Sequence, residues 1–157
     1  MTEIHRLSTD ERKLFFSEAV TELGILFPII EKDFWVVWTL ERLFSLDEVK
    51  NHLTFKGGTS LSKVYGLIER FSEDIDVSIE KNFLGFDSDA KDPEKAGSKK
   101  KQKTVLEDLS KACSSYIQNE LASALKKSIS ERLETTKGWQ LVPDSQDTQT
   151  LVFEYPN

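Results

Sequence analysis

One cysteine, one methionine and two histidines in 157 residues leave little material for several common chemistries. The single Cys113 excludes a disulfide framework and a cysteine-rich zinc site. A reducing, cytoplasmic setting is the simplest reading. Cys113 itself falls on the apolar side of a helical pattern and reads as a small core residue. His5 and His52 have no ligating partner at useful spacing and read as surface residues. Long hydrophobic runs are also missing. The stretch from Ile25 to Ile30 is broken by Pro28, so no membrane span is expected. MTEIHRLSTDER lacks the apolar centre of a secretory signal. Nor is there a cationic surplus: Lys and Arg total 21 against 27 Asp and Glu, a net charge of −6. That excludes a surface devoted wholly to gripping phosphates, though not a local basic groove. It suits a site that gathers carboxylates around a divalent cation.

With 38% hydrophobic and 31% charged residues, the chain has the composition of one soluble domain, residues 1–157. Residues 1–52 read as N-terminal helices. Ser8 and Glu11 make a capping box, Leu14, Phe15, Ala19, Val20 and Leu23 follow at helical spacing, and Gly24 closes the segment. A largely buried helix begins near Pro28, and Ser45 to His52 is a polar connection. Residues 53–80 hold a short β-like run (Leu53-Thr54-Phe55), a Lys-Gly-Gly turn, and an amphipathic helix through Leu61, Val64, Tyr65 and Ile68. The alternating run Asp74 to Ile79 completes this part. Residues 87–103, rich in Asp, Lys, Ser, Gly and Pro, read as a solvated loop. A long helix is expected over 104–137, with its apolar face ending near Leu133, and a hairpin over 139–156.

Residues 53–80 carry the chemistry. Asp74 and Asp76 stand two apart in a strand pattern whose other face is Ile75, Val77 and Ile79. Both carboxylates are therefore expected on one side, with Cα atoms roughly 6–7 Å apart. Such a pair can converge on one hard cation, or on two about 3.5–4 Å apart. Gly57 and Gly58 supply a backbone that turns sharply and approaches a phosphate with no Cβ in the way. The N–H groups that open the next helix favour an anion, and Lys56, Thr59 and Ser60 add a cation and hydroxyls. Phosphate on one side and metal on the other is the arrangement that phosphoryl or nucleotidyl transfer requires. Other phosphate and metal motifs fail here. Ile79 occupies the position where an EF-hand loop needs glycine. Lys56 precedes its glycines, unlike the lysine of a Walker A loop, and no dinucleotide fingerprint occurs.

FKGGTSLSKVYGLIERFSEDIDVSI resembles the signature of the AbiEii/AbiGii-type nucleotidyltransferase toxins, members of the DNA polymerase β-like superfamily. IEKDFWVVWTLERLF resembles that family's N-terminal helix, and TLVFEYP a strand downstream of its site. The resemblance implies an α+β fold: a nucleotidyltransferase-like core with a small mixed β-sheet flanked by helices. It implies that Asp74 and Asp76 bind Mg²⁺ or Mn²⁺ and carry catalysis. Gly57, Gly58, Thr59 and Ser60 would hold an NTP, with Lys56 beside them, and Arg70 and Ser72 would bind phosphate or order the loop. It also implies a toxin of a toxin–antitoxin or phage-defence system, a cognate antitoxin as partner, and nucleotide transfer to RNA such as tRNA. Two departures stand out. The spacer between Gly58 and Asp74 is 15 residues, slightly long for the superfamily. The superfamily's third carboxylate has no secure counterpart, and a further helical C-terminal region is expected beyond this chain. The alternative reading is a catalytically incomplete fragment that serves as an antitoxin-binding or regulatory module. A kinase-like phosphotransferase is a weaker one.

Remaining candidates have plainer readings. Glu154 lies on a β-like run and serves either as the third carboxylate or, the preferred reading, as an exposed strand residue. Lys32 either reaches the nucleotide or belongs to a polar stripe on a packed helix, again the preferred reading. Lys99, Lys100, Lys101 and Lys103 read as solvated loop residues before they read as an RNA contact. Trp35, Trp38 and Trp139 read as core or interface residues.

Overall fold

Capping chemistry sets the first helices. The structure, a computed structural model, describes residues 3–58, 73–135 and 137–156. The Ser8 hydroxyl accepts from the Glu11 N–H at 3.3 Å while the Glu11 carboxylate accepts from the Ser8 N–H at 2.9 Å. This capping box opens helix α1, Thr9–Leu23, and Gly24 closes it in the left-handed region at φ 68°. Helix α2, Phe27–Leu43, takes Pro28 in its first turn, where a missing N–H costs no hydrogen bond. It buries Trp35, Val36, Trp38, Thr39 and Leu43.

The connection that follows is less polar than its sequence suggests, because Val49 is fully buried in it. Strands β1, Leu53–Lys56, and β2, Asp76–Ile79, then pair antiparallel, with Leu53 opposite Ile79 and Lys56 opposite Asp76. Helix α3, Lys99–Tyr116, begins five residues earlier than the expected Thr104. Its physical start is Ser98, whose hydroxyl accepts the Lys101 N–H at 3.2 Å. Lysine is a good helix former with its head in water, so the lysine run extends the helix instead of lengthening the loop. A π-helical turn, Ile117–Leu121, carries α3 directly into α4, Ala122–Leu133. Glu134 ends α4 at φ 55°. The expected hairpin is present as β3, Gln140–Pro143, paired antiparallel with β4, Leu151–Glu154.

The architecture is α+β, but its strands form two separate antiparallel ladders among the described residues, where one small mixed sheet was expected. Side chains join the ladders in place of backbone hydrogen bonds. Trp35 and Trp38 of α2 meet Phe153 of β4 at ring distances of 6.2 and 6.1 Å, and Phe44 at the end of α2 meets Phe55 of β1 at 6.4 Å. One hydrophobic cluster takes in Trp35, Trp38, Leu53, Leu125, Ile129 and Leu141, with Ile75, Val77, Ile79 and Phe153 packed against it. Each fully buried side chain of this size contributes about 1.5–3 kcal/mol. Cys113 packs at the edge of the cluster, and burial raises its thiol pKa.

His5 is a correction. Expected at the surface, it is 6% exposed, with its ring 5.7 Å from Trp38. Burial lowers its pKa, and the cations Arg132, Arg6 and Arg42 add to the effect. Nothing local in sequence marks it, because the partners that cover it come from α2 and α4. His52 is half-exposed, pairs with Glu80 at 2.9 Å and stacks on Phe83. Among the described residues, no helix is long and apolar enough to cross a membrane.

Candidate active site

The last rung of the first ladder brings Lys56 and Asp76 together. They are direct cross-strand partners, so their side chains leave the same face. Thr54, Lys56 and Asp76 are exposed, while Leu53, Val77 and Ile79 turn toward the core and Phe55 meets Phe44. Hydrophobic alternation enforces this direction, since a one-residue slip would put the aliphatic set into water.

Gly57 follows Lys56 with φ 75°, in the left-handed region. A Cβ there would lie 2.8 Å from Asp76 Cγ and 3.0 Å from Asp76 Cβ, inside van der Waals contact. Glycine is therefore required twice, by the backbone angle and by the carboxylate packed on it. Gly57 of the glycine turn and Asp76 of the acidic strand, 19 positions apart in the chain, are one contact in space.

Asp74 departs from expectation. It was placed on the strand with Asp76, but β2 begins at Asp76 and residues 73–75 precede the ladder. The reason is at Gly57: β1 has already turned away, so no strand remains opposite Asp74. Asp74 is nonetheless exposed like Asp76, while Ile75 between them packs on the core. Gly58 is half-buried beside this site. Thr59, Ser60, Arg70 and Ser72 lie outside the described residues.

Lys32 occupies a position that sequence reasoning did not foresee. Its ammonium lies 2.7 Å from Glu73, the residue immediately before Asp74. The hydrogen bond to Glu73 raises the Lys32 pKa against the opposing effect of desolvation. Tyr155 lies within electrostatic reach of this pair and of Glu31, and burial is the main cause of its raised pKa. Its ring stacks on Trp35 at 5.4 Å. Glu73 was not singled out from sequence. It is exposed, and nothing local in the sequence marks its partner on α2.

Glu154 stands apart from these groups. It is exposed at the end of β4 and accepts a 2.5 Å hydrogen bond from Gln140, its cross-strand partner. Among the described residues, no group of three or more His, Cys, Asp or Glu side chains is arranged to hold a metal. Lys99, Lys100, Lys101 and Lys103 form the exposed first turns of α3. Two shallow surface concavities meet at Trp139 and Gln140, and neither shares a residue with the Lys56–Asp76 group.

Mg²⁺ is commonly held by one or two carboxylates, with waters and substrate phosphates completing its shell. Two exposed aspartates beside a glycine turn fit that donor set, and Mn²⁺ takes the same hard oxygen ligands. A lysine and a glycine backbone beside the carboxylates complement a polyphosphate.

An α+β scaffold that packs a glycine turn against a strand-borne aspartate is the kind of site that handles nucleotide phosphates. The family model for the nucleotidyl transferase AbiEii toxin of type IV toxin–antitoxin systems matches residues 38–157, and the chain belongs to this family. The match spans both ladders, the glycine turn and the two aspartates. No curated protein and no solved structure matches the chain.

Proposed function

We propose that this chain transfers a nucleotide from an NTP to a hydroxyl acceptor on RNA such as tRNA, as the toxin of a cytoplasmic toxin–antitoxin or phage-defence pair with a cognate antitoxin. The observation that carries the reading is the contact of Gly57 with Asp76, directly across the ladder from Lys56. Asp74 and Asp76 would hold Mg²⁺ or Mn²⁺, which when bound neutralises phosphate charge and lowers the pKa of a coordinated hydroxyl. Lys56 offers its ammonium to the triphosphate from the same face. Gly57 and Gly58 let the backbone approach the phosphates, and Thr59, Ser60, Arg70 and Ser72 are the further contacts that the family signature assigns. In the reaction, the acceptor hydroxyl gives its proton to water as its oxygen bonds to the α-phosphorus, the bond from that phosphorus to the β-phosphate oxygen breaks, and pyrophosphate leaves. Catalysis consists of positioning and charge neutralisation.

The test uses the full chain, total tRNA, Mg²⁺ and each NTP labelled in turn at the α- and γ-phosphate. Label from the α-position should enter RNA, and label from the γ-position should not. Entry of γ-label would instead make the protein a kinase-like phosphotransferase. Metal-dependent NTP binding by calorimetry separates both from a purely regulatory module. Absence of such binding, or its survival in the Asp74→Ala, Asp76→Ala double variant, would overturn the enzyme reading.

A further inference from the structure

We infer that Lys32 and Glu73 are positioning residues that set the direction of Asp74, an inference that rests on the nucleotidyl-transfer reading of the site. The ladder that orients Asp76 does not extend to Asp74, because β1 turns away at Gly57. The residues on either side of Asp74 are held from the α2 side. Glu73 is bonded to Lys32 at 2.7 Å, and Ile75 packs on the cluster that contains Trp35. In an extended chain successive side chains alternate, so Asp74 points away from the core side that Ile75 takes, while the ion pair with Lys32 holds the residue before it. Asp74 is thereby directed to the side that Asp76 occupies.

The anchor on α2 is itself fixed by packing. Residues three and four positions apart share a helix face, and Lys32 precedes Trp35 and Val36 by those intervals. Both are buried, at 2% and 7% exposure. The aliphatic stem of Lys32 therefore follows the core-facing row while its ammonium emerges at the rim. Trp35 is clamped further by stacking on Tyr155. An ion pair with both partners this exposed adds little to global stability. Its consequence is local, at Asp74 beyond the end of the ladder.

The experiment compares the intact chain with Lys32→Met, Glu73→Gln and the charge swap Lys32→Glu with Glu73→Lys. Mn²⁺ binding is read by calorimetry with a non-hydrolysable NTP present, and melting temperature is measured in parallel. Each single variant should weaken Mn²⁺ binding about 10-fold, the scale of lost support for a metal ligand, with its melting temperature nearly unchanged. The swap should restore most of the affinity. Unaltered Mn²⁺ affinity in both single variants would overturn the inference while leaving the proposed function standing. A swap as impaired as Lys32→Met, with NTP affinity lost even without metal, would also overturn it, by making Lys32 a direct phosphate contact. Failure of the unsubstituted chain to bind Mn²⁺ with NTP would refute the nucleotidyl-transfer reading and this inference together.

Discussion

The two ladders are close copies in form and opposites in the use of their outer faces. Each is a four-residue antiparallel pair with its inner face on the same hydrophobic cluster. Each ends in a polar cross-strand pair. In the second ladder Gln140 bonds Glu154, so that the two polar groups satisfy each other. In the first, Lys56 and Asp76 face each other across the rung but form no ion pair among the described residues. Beside Asp76 the chain accepts a left-handed glycine to bring its backbone onto the carboxylate. A polar pair that is internally satisfied belongs to the scaffold. A carboxylate left to water, with backbone packed against it, is disposed to meet something from outside.

The most severe way to test that contrast is to remove one carboxylate from each ladder. Asp76→Ala should lower nucleotide transfer by about 10²–10³-fold, the scale of losing an electrostatic group at a reacting centre. Glu154→Gln should leave the rate within about 2-fold, as expected for a surface substitution. Equal losses measured by transfer to tRNA would erase the distinction. The inner faces, by contrast, should behave alike. Leu53→Ala and Leu141→Ala each remove a buried leucine and should each cost about 2–5 kcal/mol in urea denaturation. A large inequality would show that the ladders do not share the core equally.

Two glycines sharpen the comparison further. Gly57 and Gly138 have φ of 75° and 79°, but a Cβ at Gly138 meets nothing within 4 Å. Gly138→Ala should therefore cost only the left-handed backbone penalty, about 1–2 kcal/mol. Gly57→Ala should cost more and should also weaken Mn²⁺ binding, because Asp76 must move. Equal stability losses with unchanged metal affinity would dissolve the Gly57–Asp76 contact as a functional element. The smallest effect belongs to His5. Its folded pKa is lowered, so the unfolded chain takes up a proton first as pH falls past the ordinary histidine value of about 6.5. Stability should be full above that value and decline as pH drops from 7.5 to 5.5. His5→Gln should flatten the decline, as read from melting temperature against pH.

Sequence carried the periodic features furthest. The Ser8–Glu11 box, the buried stripe of α2, the inward set Ile75, Val77 and Ile79, and the C-terminal hairpin all follow from local spacing. Features that depend on distant partners did not show. His5 is buried by α2 and α4, and its neighbours in sequence carry no trace of that. Asp74 fell outside the strand because of a turn at Gly57 on the opposite strand. Lys32 could be read as a phosphate contact or a polar stripe, since its Glu73 partner emerges only when α2 packs against the lead-in to β2. The two strand pairs were expected in one mixed sheet and form two, because aromatic side chains fill the space between the ladders in place of backbone pairing. Within the site, motif and spacing brought Lys56, Gly57 and Asp76 to attention. Only the fold shows that these three are one contact.

Arg12 has a consequence for timing. From the first turn of α1 its guanidinium donates to the carbonyl of Leu7 at 2.6 Å and to that of Pro156 at 3.0 Å, the latter across a separation of 144 residues. The stack of Tyr155 on Trp35 spans a similar length of chain. Contacts that join such distant residues form late, because the loop between them must be closed before they contribute. During synthesis, α1 and α2 therefore leave the ribosome with their aromatic face uncovered, and it stays so until β4 has been made. The Lys32–Glu73 anchor is on the same helix face as Trp35, the ring that Tyr155 covers. The face of α2 that carries Trp35 and the Lys32–Glu73 pair is therefore complete only when residues 151–156 have closed over it.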